Sequence, residues 1–445
     1  MSLSKRVSVS SIRSDSPSLA FVTTPNADAE EWTKTWQSTL ARDLIDSPLV
    51  AVDAETTVEE ACELLLSKNL FCIAVNNKAN GVPQDAPFLG LFDFSDVNAF
   101  LTLAATRHKW STEELTENPK IDEIFSAAKA GRVPVHLVCN LSEKNPLEIL
   151  PHNATLLPLL SIFSRGTHRA IIQGENSSKG FSGLVSDGSL LAWFAKQARV
   201  ISSLHSFFSN SLSSLNLPSL YLYSSVVSAK AGDAVLDAMV LMSDQGVSSI
   251  AVLEEETSGL LSAVSVTDIG KIVVPSQSNQ ILSAPLKHFI SLIKEPDGST
   301  DGADKYPVYS VLPSSTLLYT IEKLIATKSH RLFVTDESQV LSPPFAPSPT
   351  TNLSGIVSIV DILSLFARLA NIPDVDPTRM QRHRRASSTS TSSSPLSGRS
   401  PNERSFMRSR SSSRTSLGRI PVGTNNLRNS VSSLESFQWA ERVPK

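Results

Sequence analysis

The chain carries only three cysteines in 445 residues, Cys62, Cys72 and Cys139. All three sit in apolar runs, their number is odd and no CxxC spacing occurs. A disulfide framework is thereby excluded, and reduced core thiols in an intracellular protein are expected. Long apolar runs are also missing. The longest, residues 353–372, contains Asp361 and Arg368 and reads as a strand followed by a helix, not a membrane span. Lys5-Arg6 precedes serines instead of an apolar stretch, so no signal peptide is expected. Walker-A, GxGxxG and HExxH signatures are absent, and Gly180-Phe181-Ser182-Gly183 falls short of a nucleophile elbow. The eight histidines are scattered. His168, His205, His288 and His330 show no metal-ligand spacing, so no metal site is expected. What remains is a non-enzymatic protein of the cytoplasm and nucleus, with neither membrane nor nucleic acid among its expected partners.

Charge is nearly balanced, at −3, but unevenly placed. From Arg379 onward there are 13 Lys and Arg against 3 acidic residues, so the tail is near +10 and the remainder near −13. Residues 1–37 and 373–445 form Ser-rich arms that bury too little apolar surface to offset their ordering entropy, and both are expected to be disordered. A chain ending near Pro373 is accordingly expected to keep its fold. The tail holds candidate phosphorylation sites: Ser387 in Arg384-Arg385-Ala386-Ser387, Ser394 and Ser400 before prolines, and Ser416 after Arg414-Thr415. Several phosphates there would cancel the tail's positive charge.

The most informative feature is one pattern written four times. Gly90-Leu91-Phe92-Asp93-Phe94-Ser95-Asp96-Val97 recurs as Gly183-Leu184-Val185-Ser186-Asp187-Gly188-Ser189-Leu190. It returns from Ser262 to Ile269 and from Gly355 to Ile362, at spacings of 93, 79 and 93 residues, as in a duplicated pair. Each copy reads as the end of an apolar strand, a polar turn and the start of an amphipathic helix. Upstream lie another helix and one or two strands. In the first repeat Thr57 and Glu60 make a capping box, with Val58, Ala61, Cys62, Leu65 and Leu66 on one face. Asp233 is the expected N-cap in the third repeat, and Ser315 opens the corresponding run in the fourth. Shorter helices are expected around Ile121 to Ala128 and Ile281 to Ile293.

These residues resemble the CBS (cystathionine-β-synthase) domain, a regulatory module that pairs into Bateman modules. The resemblance implies an α/β (α+β) fold of four β-α-β-β-α repeats, at 38–105, 133–200, 216–275 and 305–372. Four repeats in this order look like the γ subunit of AMP-activated protein kinase. The Ser-rich arms and Asn69-Leu70-Phe71-Cys72-Ile73-Ala74-Val75 are more similar to a fungal family of CBS-domain regulators, the SDS/MOC type. That family is associated with restraint of type-2A protein phosphatase, cell-cycle progression, DNA replication, cell separation and stress or nutrient response.

The resemblance also implies where a ligand would sit. In CBS proteins a Ser/Thr-x-x-Asp turn sets a carboxylate at a helix N-terminus, where it suits ribose hydroxyls, while the free N–H groups suit phosphate. Ser265 with Asp268 and Ser358 with Asp361 keep that pattern. The first repeat has Asp93 and Asp96, an added negative charge, and the second has Ser186 and Ser189, without the carboxylate. His168-Arg169 and His330-Arg331 resemble pairs that face nucleotide phosphates in the kinase γ subunit. The fourth repeat alone combines both signals and is the foremost expected site for AMP, ADP or ATP. Two functions are expected: a regulator docking on catalytic or regulatory subunits of a type-2A phosphatase, modified by protein kinases, or a nucleotide-sensing subunit of a kinase. A homodimer is a further expectation.

Overall fold

The computed structural model describes residues 27–77, 87–175, 180–215, 217, 219–220, 226–273, 280–293, 310–335 and 353–375. The phosphorylation candidates Ser387, Ser394, Ser400 and Ser416 lie outside these residues.

Each repeat is a short strand, a first helix, two longer strands and a second helix. In the first these are Ala51–Val52, Val58–Ser67, Cys72–Asn76, Phe88–Asp93 and Phe94–Ala105. The second runs Ile149–Leu150, Leu156–Ser164, Arg169–Gln173, Phe181–Ser186 and Asp187–Ala198. The third runs Ser228–Lys230, Val235–Asp244, Ser249–Leu253, Leu260–Ser265 and Val266–Val273. The fourth runs Ser310–Val311, Leu317–Thr327, Arg331–Thr335, Leu353–Ser358 and Ile359–Leu369. All four sheets have three strands, the first pair parallel and the second antiparallel. A register shift falls at the same place in each, as at Val75/Asn76 and Val334/Thr335. Such agreement across copies marks one unit repeated.

Local signals explain most helix starts. Thr57 and Glu60 form the expected capping box. Asp233 does not cap: Ala234 holds that place, and the Asp233 carboxylate accepts from the Lys230 N–H at 2.7 Å. The chain there is held instead by backbone bonds to the turn at Ala284–Pro285, namely Val235 N to Ala284 O and Leu286 N to Asp233 O. Thr316, not Ser315, caps the fourth repeat's first helix, since Thr316 accepts from the Tyr319 N–H while Ser315 accepts from Leu312 N. The segment 281–293 is two helices, Gln280–Ser283 and Leu286–Ile293, because Pro285 cannot continue the first. Pro119–Lys129 covers the helix expected around Ile121.

Packing follows two different rules. Sheets face each other within sequence-adjacent repeats: Cys72, Ala74, Phe88 and Leu91 meet Ile171 and Leu184, and Ala251, Leu260 and Ala263 meet Phe333, Leu353 and Ile356. Helices instead join the first repeat to the third and the second to the fourth, in the two large cores. Asn98 donates to the Met239 carbonyl across the first interface, where Phe94 lies over Gly270. Ser364 donates to the Ser164 carbonyl across the second. Each repeat thus has one neighbour through its sheet and another through its helices.

The folded part extends further at both ends than the composition suggests. Ala27–Ser38 is a helix, and its residues Ala29, Trp32 and Trp36 are buried in the core of the second and fourth repeats. Trp36 packs edge-on against Phe194, and the Trp32 Nε1–H donates to the Ser203 hydroxyl at 3.0 Å. The composition of residues 1–37 as a whole is polar, but two tryptophans spaced i, i+4 give that last stretch an apolar face. At the other end Val375 is buried in the same core, so Pro373 is too early a boundary.

Candidate helix-terminal and interrepeat sites

The four equivalent turns at the start of each second helix have unlike surroundings. In the fourth repeat, Ser358 and Asp361 form a reciprocal capping box: Ser358 Oγ accepts from Asp361 N, and Asp361 Oδ2 accepts from Ser358 N and Oγ. Its other oxygen accepts from the Ser219 hydroxyl at 2.9 Å. Asp361 is therefore fully buried with both oxygens in use. Burial raises its pKa, partly offset by the hydrogen bonds from Ser358 and Ser219 and by the Arg331 charge. Ribose hydroxyls could reach this carboxylate only by displacing Ser219, a residue that no sequence pattern assigns to this turn.

The first repeat is closed in the same manner by the segment leading to the second. Ser142 donates its N–H and hydroxyl to Asp96 Oδ1 at 2.8 and 2.7 Å. Asn145 donates to the Asp93 carboxylate and accepts from the His168 N–H. Burial, and the negative charge of Asp93, hold Asp96 well above the usual carboxylate range. In the second repeat the Ser186 hydroxyl donates to Asp46, and the Ser189 hydroxyl donates to the Leu44 carbonyl. The third repeat differs. Ser265 and Asp268 make the same capping contacts through Oδ2, yet both are half-buried, and among the described residues no hydrogen bond reaches Asp268 Oδ1. The accessible Ser-x-x-Asp pair is that of the third repeat, not the fourth.

Asp96 supplies a test of this electrostatic arrangement. Its folded pKa lies above that of the unfolded chain, so the folded state holds the proton more tightly. The resulting stabilisation is complete below about pH 4 and is lost as pH rises through the folded value. Asp96→Asn removes the titration. Denaturant midpoints measured between about pH 5 and about pH 8 should fall for the wild type relative to Asp96→Asn. Parallel curves would show that Asp96 does not titrate in the folded state.

The His-Arg pairs separate into two settings. Arg169 is buried, with its guanidinium over the Phe71 ring of the first repeat at 5.0 Å, and Arg331 is half-buried. The histidines instead converge. His168 and His330 each stand just before an equivalent strand, and their rings lie 4.3 Å apart. Between them is Asp187, the first residue of the second repeat's second helix. Its Oδ2 is 2.7 Å from His168 Nδ1 and 3.4 Å from His330 Nδ1. Burial pushes the Asp187 carboxyl up, but the His330 and His168 charges and the hydrogen bond with His168 outweigh it and hold it below the usual range. The corresponding position in the fourth repeat is Ile359, so two histidines share one carboxylate. Sequence spacing argued against a metal cluster because His168 and His330 are far apart along the chain; folding unites them with Asp187.

The cysteines have the environment expected of core thiols. Cys62, Cys72 and Cys139 are buried and free, and burial pushes Cys72 up to about 12 and Cys139 up to about 11. None is poised as a nucleophile at neutral pH. No described helix is long and apolar enough to cross a membrane.

Known proteins share this plan. Residues 41–97 match the CBS domain family. A solved structure from Methanocaldococcus jannaschii, described as a candidate archaeal homologue of γ-AMPK, superposes with a TM-score of 0.51 at 16% identity, over 74% of this chain and all of that one. This likeness shows the fold. Protein sds23 of Aspergillus niger is 30% identical over 389 residues, 76% of this chain and 74% of that protein. Protein SDS23 of Yarrowia lipolytica is 30% identical over 367 residues, 78% of this chain and 70% of its own length. With four CBS-type repeats and this extent of similarity, the chain belongs to the SDS23 family of regulatory CBS-domain proteins.

Proposed function

We propose that this chain is a non-catalytic regulator of the cell cycle, DNA replication, cell separation and stress or nutrient signalling, acting by binding and restraining a type-2A protein phosphatase. Family membership supports the regulatory role. The observation that favours protein docking over ligand sensing is the closure of three helix N-termini by the chain's own Ser142, Asn145, Asp46 and Ser219. With three of the four equivalent turns closed by the chain itself, docking through the surface is favoured over ligand binding at those turns. The basic tail adjusts this action: phosphates on Ser387, Ser394, Ser400 and Ser416 would add about −6 to −8 charge and release it from the acidic body. Phosphatase subunits should co-purify with the full chain and with a chain ending after Val375. Only the full chain should respond to phosphorylation. Loss of binding on truncation would make the tail the docking element and overturn this mechanism.

The third repeat favours a second reading, an adenine-nucleotide sensor serving a protein kinase. Asp268 offers a carboxylate oxygen at a helix N-terminus without a described internal partner. In calorimetric titration with AMP, ADP or ATP, Asp268→Ala should weaken binding by about tenfold, because a charged acceptor is worth about 1.5–3 kcal/mol. Asp361→Ala should affect stability more than affinity. Absence of heat for the wild type at millimolar nucleotide would remove this reading.

A further inference from the structure

We propose that His168, Asp187 and His330 form a binding site for one divalent transition-metal ion of the zinc class, linking the second repeat to the fourth. One donor atom from each residue can be chosen so that all three lie within 4.8 Å of one another. A tetrahedral zinc with bond lengths of about 2.0–2.1 Å sets neighbouring donors about 3.3 Å apart. The His330 to Asp187 separation of 3.4 Å already has this value, and the His168 to Asp187 separation of 2.7 Å needs to open by about 0.6 Å. Two imidazoles and one carboxylate are a donor set for zinc and its transition-metal neighbours, not for calcium or magnesium, which take oxygen ligands.

Three further observations favour a cation there. His330 Nδ1 is buried, and although Asp187 is at ion-pair distance no hydrogen bond of good geometry satisfies it. A metal ion in line with that lone pair would satisfy it. The other two donors are held in place: the His168 N–H donates to Asn145, the His168 carbonyl accepts from the Asp187 N–H, and the second Asp187 oxygen accepts from the Gly188 N–H. The site also lies near the surface, since the His330 side chain is 36% exposed although its Nδ1 is buried, and Asp187 is 2% exposed. A buried carboxylate at the centre repels phosphate, so the same geometry that suits a cation works against an anion. The pair of histidines comes from the repeat symmetry; the single carboxylate comes from its failure, with Ile359 standing where a second would be.

The test uses the full chain stripped of metal with a chelator and titrated with Co²⁺, then with Zn²⁺ as competitor. One equivalent of cobalt should give visible ligand-field bands that Zn²⁺ abolishes, and Zn²⁺ should raise the melting temperature. His330→Gln should weaken cobalt binding by about tenfold or more and cancel the zinc-induced rise in melting temperature. His136→Ala, at a histidine paired with Glu55 elsewhere on the surface, should leave both unchanged. The metal-free melting temperature of His330→Gln shows that the variant is folded, and Asp187→Asn provides a second removal of a donor. Absence of cobalt bands, or equal affinity for wild type and His330→Gln, would overturn the proposal. So would stabilisation by inorganic phosphate in place of zinc. None of these readings requires a phosphatase, so the outcome is independent of the function proposed above.

Discussion

Phe366→Ala is expected to lower the unfolding free energy by about 3–5 kcal/mol. Phe366 is fully buried in the fourth repeat's second helix. Its ring lies 4.3 Å from Phe194, 5.5 Å from Phe208 and 6.2 Å from Trp36, so it joins the second repeat, the helix after it and the N-terminal helix. Such rings gain stability from edge and offset contacts beyond the area they bury. The void left by truncation is walled by other rigid aromatics and has little freedom to collapse. Denaturant unfolding measures the effect. Val200→Ala, at a residue 75% exposed, should stay within about 0.5 kcal/mol of the wild type. Comparable midpoints for the two variants would show that this cluster does not hold the repeats together.

Gly355→Ala should cost about 3 kcal/mol or more and open the fourth repeat's turn, although the change is one methyl group. A Cβ at Gly355 would lie 2.0 Å from the Leu220 carbonyl oxygen and 2.7 Å from that of Ser219. Both are backbone atoms, so the segment has to lift. Lifting it breaks the bond from Ile356 N to Ser219 O, withdraws Leu220 from the core and removes the Ser219 hydroxyl from Asp361. Gly90 holds the same place in the first repeat, but its added Cβ would meet Cys139 Sγ at 3.5 Å, an ordinary contact. Gly90→Ala should therefore be nearly neutral. Hydrogen exchange of the Ile356 amide, faster in Gly355→Ala than in the wild type, reports the displacement directly. Equal tolerance at the two glycines would mean that residues 219–220 do not close the turn.

The contrast between those glycines shows what the sequence could and could not reveal. The repeats are legible because each copy carries its own evidence: a polar turn that opens a helix, an apolar helical face of period near 3.6 and short continuous apolar strands. Helix pairing between the first and third and between the second and fourth repeats was not legible, since amphipathic faces of similar composition do not name their partners. The candidate site was legible as a set of turns. Ser358 and Asp361 could be found by pattern, but Ser219 is one serine among many in its segment, and only the fold brings it to Asp361. Asp187 sat in plain view within the repeated turn, moved two places from the usual carboxylate position. Its meaning needed His330, which comes from another repeat. Trp32 and Trp36 are hidden for a simpler reason: the average composition of residues 1–37 is polar, while burial depends on which residues share a helical face.

The docking proposed above, of the four-repeat CBS body on a type-2A phosphatase, is open to a reconstitution. The most direct measurement is reconstitution: the purified chain mixed with a purified type-2A phosphatase, followed by size-exclusion chromatography and assay of a phosphopeptide. Co-elution and a dose-dependent fall in phosphatase activity are expected, both retained when the chain ends after Val375. Separate elution with undiminished activity, for the full chain at concentrations well above those of the enzyme, would contradict it.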